Sequence, residues 1–505
     1  MKSLKSAICT LVVCTVTGLA AAQTWTPLTH LAPQAVGPLL QLRDGRVLAH
    51  SDQGGNANSW YILTPDLTGS YVNGTWTGPY NMQAGYSPFF FSSAVLLDGK
   101  TIIVEGGEYN NGTAVWTNLG AIGTLTPFPP FGITFQANAP PSGWSTIGDA
   151  QNSLLPDGRY FQANCCTKQT AYFVYPVWTP GPSVLAVRND ESGYTALPDG
   201  RVLMVDVQND ANCPPNTNMS TEYFNPAPWT CGPQTTVQLW QQSDQELGAA
   251  VLTYPSTPSH VMGSVVQFGG NVVATNVLDI KLFTWATGPV PPNNLNQADG
   301  PAALEPNNKI LAMLSPGLFQ SGCQFVEYDA TNDSIALAPN SPQCPSDSSF
   351  EGHLMILPTG QIASVSFDEQ IYVYTPVPGI APGVQPTISS YNPSVCKPPT
   401  VCVIGSTNLK VCGTQLNGLT ENNAYGDDYQ AATNYPLIRL TDPITGHVYY
   451  AWTHDDSNHS IAPNNFSCTL YDLPPSIPTK PGGIAYNMEV VVNGIASNPV
   501  TVTVH

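Results

Sequence analysis

Short apolar runs recur along most of the chain, each broken by a tight polar turn and followed by a second apolar run. The pattern reads Leu, often Pro, then Asp-Gly, then apolar residues. It appears as Leu42-Arg43-Asp44-Gly45-Arg46-Val47-Leu48 and as Leu96-Leu97-Asp98-Gly99-Lys100-Thr101-Ile102. It returns as Leu155-Pro156-Asp157-Gly158-Arg159 and Leu197-Pro198-Asp199-Gly200-Arg201. Weaker copies are Leu304-Glu305-Pro306-Asn307-Asn308-Lys309 and Leu357-Pro358-Thr359-Gly360-Gln361, and a degenerate copy lies between Ala249 and Gln267. Asp-Gly between β-rich runs predicts hairpins, because Gly accepts positive φ. Each unit closes on an aromatic strand such as Thr75-Trp76-Thr77, Val177-Trp178-Thr179-Pro180 or Tyr372-Val373-Tyr374-Thr375.

Seven such units predict an all-β chain built on a seven-bladed β-propeller. Thr24-Trp25-Thr26-Pro27 looks like a closing strand without its unit, and it would complete the last blade and remove a free sheet edge. The propeller is expected over 23–376 and a Pro/Gly linker over 377–386. The repeat then stops. Residues 387–505 carry alternating strands and a distant cysteine pair, which predicts an immunoglobulin-like β-sandwich.

Residues 1–22 read as a secretory signal: Lys2 and Lys5, an apolar stretch from Ala7 to Leu19, then Ala20-Ala21-Ala22. The expectation is a secreted protein, in a periplasm, on a cell surface or outside the cell, with no transmembrane segment. Ten cysteines follow the signal, as suits an oxidising compartment. Local spacing suggests Cys213–Cys231, Cys323–Cys344, Cys396–Cys402 and Cys412–Cys468. Cys165 and Cys166 then form a vicinal disulfide, take separate partners, or stay as buried thiols. Sequons at Asn73, Asn111, Asn218, Asn332, Asn458 and Asn465 permit glycosylation.

Acidic residues outnumber basic ones by 34 to 15, a net charge of −19, which argues against nucleic-acid partners. Gly 43 and Pro 48 exclude a mostly helical chain.

The repeats resemble the kelch units of the galactose oxidase-like superfamily, and the propeller-then-sandwich order is that of galactose and glyoxal oxidases. Segments such as Gln297-Ala298-Asp299-Gly300-Pro301 and Ser348-Ser349-Phe350-Glu351-Gly352-His353 resemble secreted kelch-repeat proteins. The resemblance implies one copper ion on the propeller axis, held by two tyrosines and two histidines. Aligned on Leu357-Pro358, the family's Tyr-His pair falls on Phe350 and Glu351, and phenylalanine cannot ligate a metal. The family's last histidine matches His454, in Thr453-His454 after Leu437-Ile438-Arg439.

Counting seven residues back from the turn proline gives Asp149, Glu191, Asp299 and Glu351, and the degenerate unit gives Glu246. The first two units place Val36 and Phe90 there. A ring of five carboxylates predicts a site for a hard cation, calcium before copper, or for a cationic or polyhydroxylated ligand. His454 and His353 could lean over it. The alternative is that each acid staples neighbouring blades. Asp157 and Asp199 have turn roles, and Asp455-Asp456 reads as a solvated loop. Trp60, Tyr61, Tyr80, Tyr86 and Phe89-Phe90-Phe91 offer a sugar platform, or pack between blades.

Two functions fit. One is a non-catalytic extracellular binding or scaffold protein that engages a cation, a carbohydrate or another protein, self-assembly included. The other is a galactose oxidase-like metalloenzyme with an altered site built on Glu351 and His454.

Overall fold

A computed structural model describes residues 23–505, apart from 53–56, 206–212, 214–218, 225–227, 241–245, 257, 259, 396–406 and 423–430. The chain is all-β. Seven antiparallel four-stranded sheets follow one another and form the blades of a propeller. Their innermost strands are Val36–Gln41, Ser92–Val95, Asn152–Leu154, Tyr194–Ala196, Val251–Leu252, Ala302–Leu304 and His353–Ile356. Each innermost strand touches the innermost strands of the blades beside it, and the first meets the seventh, so the ring closes.

Closure uses the N-terminal segment. Thr24–Pro27 is the outermost strand of blade 7 and pairs antiparallel with Tyr372–Thr375. The outer-strand tryptophans fasten blade to blade. Trp178 donates its indole N–H to Ala139 O at 2.9 Å, Trp25 to Pro339 O at 2.7 Å and Trp76 to His30 O at 3.2 Å. Each acceptor lies in the connection leaving the preceding blade.

The Asp-Gly turns form as the sequence predicts, with positive φ at Gly45, Gly99, Gly158 and Gly200. In blades 3 and 4 the turn aspartate also binds its own arginine. Asp157 accepts from the Arg159 side chain at 2.8 Å and Asp199 from Arg201 at 2.7 Å. These arginines then lie over Tyr172 and Tyr223 of the third strands, 4.0 and 4.9 Å from the ring centroids.

The C-terminal strands form a β-sandwich. Val448–His454 pairs through its first half with Leu437–Thr441 and through its last three residues with Phe466–Asp472. It thereby folds one hydrogen-bonded path into two layers around Val411, Leu440, Tyr471, Met488 and Val502. Cys412–Cys468 joins neighbouring strands rather than crossing that core. Cys165–Cys166, Cys213–Cys231 and Cys323–Cys344 also form, so the vicinal pairing holds. Cys396–Cys402, the signal over 1–22 and Asn218 lie outside the described residues. No helix among the described residues is long and apolar enough to cross a membrane.

The sandwich sits on the face that carries the Asp-Gly turns. Thr453 N donates to Arg43 O, Asp455 N to Leu97 O and His459 N to Pro156 O. Arg43 is fully buried here. It pairs with Asp456 at 2.6 Å, both side chains are at most 1% exposed, and its guanidinium lies 4.5 Å from the Tyr435 ring centroid. Asp456 is therefore not in a solvated loop, because burial of Arg43 demands a counter-charge. Asp455 alone is exposed.

Candidate functional site

The start of each innermost strand faces away from the sandwich, and there the counted-back positions converge. A cavity of about 190 Å³ is lined by Asp149, Glu191, Glu246, Asp299 and Phe90, together with Glu108, Tyr109, Phe319 and Phe350. Four of the five expected carboxylates thus meet at one site, and Phe90 stands with them as its position implied.

The acids form two tiers. Asp149 and Asp299 are 4% and 8% exposed and make the floor, while Glu108, Glu191 and Glu246 are half-buried on the wall. Asp149 Oδ1 is buried without a hydrogen-bond partner. That is costly for a carboxylate, and it is the opposite of a blade staple. Asp190 stands behind Asp149 and is held by Arg188 at 2.9 Å. Burial pushes the Asp149 carboxyl well up, and Asp190 and Glu108 raise it further. Burial, Glu246 and Asp190 push Glu108 up to about 7. Packing like charges this closely is unfavourable unless protons or a cation compensate.

The backbone around the cavity is strained. Phe90, Glu191 and Asp299 hold equivalent positions in blades 2, 4 and 6, and all have positive φ (49°, 58° and 62°). Non-glycine residues in this region cost about 1–3 kcal/mol each and concentrate at functional sites.

Glu351 does not line the cavity. Residues Ser349–Glu351 wind into a 3-10 turn before the blade 7 strand, and Glu351 caps it by accepting from Ser348 N at 2.7 Å. This turn gives the cavity position to Phe350. His353 is buried beside Phe367, 5.1 Å between centroids, and burial drives its imidazole down to about 3. His454 lies at the other end of the innermost strands, against Gly99 and stacked on Trp452 at 4.4 Å. Burial opposes its protonation, but Asp472 and Asp455 outweigh that and raise it. Trp60, Tyr86 and Phe91 are fully buried between blades 1 and 2 and form no sugar platform.

Two functional-looking acids are absent from the repeat count. Glu108 follows Gly106-Gly107, whose positive φ values of 77° and 128° turn the chain back over the cavity. Glu421 enters the axis from the sandwich side. It accepts from Ala196 N at 3.0 Å and from the Ser153 hydroxyl at 3.3 Å. Thr420 donates to Leu252 O at 2.6 Å, so this segment closes the sandwich end of the channel. Burial pushes Glu421 up to about 7, although its two donors pull the other way.

Asp149, Asp190 and the Cys165 sulfur offer donor atoms within 4.8 Å of one another, a grouping able to hold a metal ion. With Cys165 bonded to Cys166, the trio offers only its two carboxylates. The lining residues do not fit a copper-radical centre. They include no histidine and one phenol, Tyr109, and their donors are hard oxygens that suit calcium-like ions.

The described residues have the architecture of a β-propeller followed by a C-terminal β-sandwich. The chain is similar to a fungal alcohol oxidase of the AA5 family in complex with copper, with 12% identity, 96% of this chain and 99% of that chain covered, and a TM-score of 0.53. It is also similar to virginiamycin B lyase from Staphylococcus aureus, with 10% identity, 70% and 100% covered, and a TM-score of 0.47. At 12% identity the likeness to the oxidase is one of fold. No family model matches the chain, and no curated protein matches it.

Proposed function

We propose that this chain is a secreted, kelch-type propeller protein that binds rather than turns over its ligand, and that it captures a cation in the acidic cavity. On this reading the propeller occupies 23–376, and the immunoglobulin-like domain over 387–505 seals the opposite face. The supporting observation is Asp149: a buried carboxylate with an unpartnered oxygen, in a cavity lined by four further acids and, among the described residues, no basic side chain. Four disulfides fit an extracellular setting. The metalloenzyme alternative needs Glu351 and His454 on one ion, and they stand at opposite ends of the innermost strands.

The test is calorimetric titration of the purified chain with calcium, manganese and tetramethylammonium. Binding of at least one, weakened at least about tenfold in Glu246→Gln and Asp149→Asn, is expected, since each removes one charge-assisted contact. A chain that binds none of the three, or variants that bind as well as the parent, would overturn the proposal.

A further inference from the structure

The cavity contains a second chemistry that a bare metal ion would not use. Four aromatic residues line it alongside the five acids: Phe90, Tyr109, Phe319 and Phe350. They form two groups. Phe90 and Tyr109 stand 6.3 Å apart, with Phe89 4.0 Å from Phe90. Phe319 and Phe350 meet edge to face at 4.9 Å. The two groups come from different parts of the ring, blade 2 and the blade 6–7 region. Phe319 is 59% exposed, and Phe90, Tyr109 and Phe350 are half-buried, so the rings form a rim above the carboxylate floor. Phe90 and Phe319 both have positive φ, 49° and 55°, so two of the four rings are presented from strained backbone.

Size points the same way. A water molecule's share of liquid volume is about 30 Å³. The cavity, at about 190 Å³, therefore has room for far more than a dehydrated ion. A calcium ion needs six to eight oxygens at about 2.3–2.6 Å and gains nothing from phenyl rings. A bulky organic cation uses both halves of the cavity. Its charge is met by the acids, and its methyl and methylene groups lie against the rings, where the ring quadrupole attracts them.

We propose that the ligand of this cavity is an alkylated ammonium group, quaternary or highly methylated, with the acids as counter-ions and the four rings as its cage. The inference rests on the cation-binding reading above and names its ligand class. Asp149, buried with its Oδ1 unpartnered, supplies the floor contact. The group could belong to a free small molecule or to a methylated lysine on another protein, and the two sources present the same trimethylammonium head.

The test titrates the full chain at pH 8 with choline, with a peptide carrying trimethyllysine, with the neutral isostere 3,3-dimethylbutanol, and with calcium. Choline or the peptide is expected to bind and the isostere is not, and the tighter of the two identifies the source. Phe350→Ala and Phe319→Ala should each weaken ammonium binding about tenfold, the size of a partly desolvated cation–π contact. Glu246→Gln should weaken it as well. Circular dichroism of the variants checks that each has folded, and the exposed Phe319 is the safer of the two ring sites. Calcium binding that depends on Glu246 with no ammonium binding would overturn this inference and leave the cation site standing. Equal binding of choline and its isostere, or ring variants with parental affinity, would also overturn it. Absence of any cation binding would overturn both.

Discussion

Glu421 gives a pH dependence that can be worked from the structure. Its carboxyl is buried, and the described residues that line the small void beside it, Thr195, Ala250, Val251, Leu252, Thr420 and Asn422, are all uncharged. Its value rises from 4.5 to about 7 on folding, with burial as the cause. One unit is worth about 1.4 kcal/mol. The folded chain therefore holds this proton more tightly than the unfolded chain does. The resulting stabilisation is fully present below about pH 4.5 and is lost as pH rises through about 7, a loss of about 3 kcal/mol. Glu421→Gln keeps an acceptor for Ala196 N–H and never ionises. Urea unfolding followed by tryptophan fluorescence, at pH 5 and pH 8, reads the difference. The variant should exceed the parent by no more than about 1 kcal/mol at pH 5 and by about 3 kcal/mol at pH 8. All other titrating groups are common to both chains, so they cancel. An identical change from pH 5 to pH 8 in parent and variant would refute the account of a buried, proton-holding plug.

Two further outcomes are expected. Arg43→Met leaves Asp456 buried without its partner and should cost about 3–5 kcal/mol in the same assay, with Arg43→Met/Asp456→Asn recovering much of it. A double variant no better than the single one would show that the pair does not hold the two domains together. Glu108 titrates near 7, so cation affinity at the cavity should fall as pH drops from 8 to 6. Glu108→Gln should flatten that slope in calorimetric titrations, and an unchanged slope would place the titrating group elsewhere.

Most of the fold is legible in the sequence because its turns are local. Asp-Gly requires positive φ, and apolar runs on both sides leave little choice but a hairpin. The repeat then carries the site with it: counting back from a turn finds Asp149, Glu191 and Asp299, and matching the degenerate unit's apolar run finds Glu246, since equivalent strands start at equivalent points. The count fails at Glu351 because a 3-10 turn intervenes. Even that had a sequence signal, as Ser348 and Glu351 have capping-box spacing. Glu108 lies in an excursion outside the repeat, and only the Gly106-Gly107 pair hints at it. Glu421 and the Arg43–Asp456 pair depend on how one domain docks on another, which no local pattern encodes. The Thr-His context of His454 points toward the ring, but its strand runs along the opposite face, against the turns at Arg43 and Gly99.

The pairing of Thr24–Pro27 with Tyr372–Thr375 bears on how the molecule is made. These partners lie some three hundred and fifty residues apart in the chain, so during synthesis the first strand waits until nearly the whole ring has emerged. Until then six finished blades form an open arc whose two terminal sheets expose apolar faces, and Tyr372–Thr375 has an unpaired edge once it forms. Long-range closure of this kind is slow. A chaperone that shielded the arc would protect the protein at its most vulnerable moment. Mutations in Thr24–Pro27 would then reduce the yield of folded protein more than the stability of molecules that have already closed.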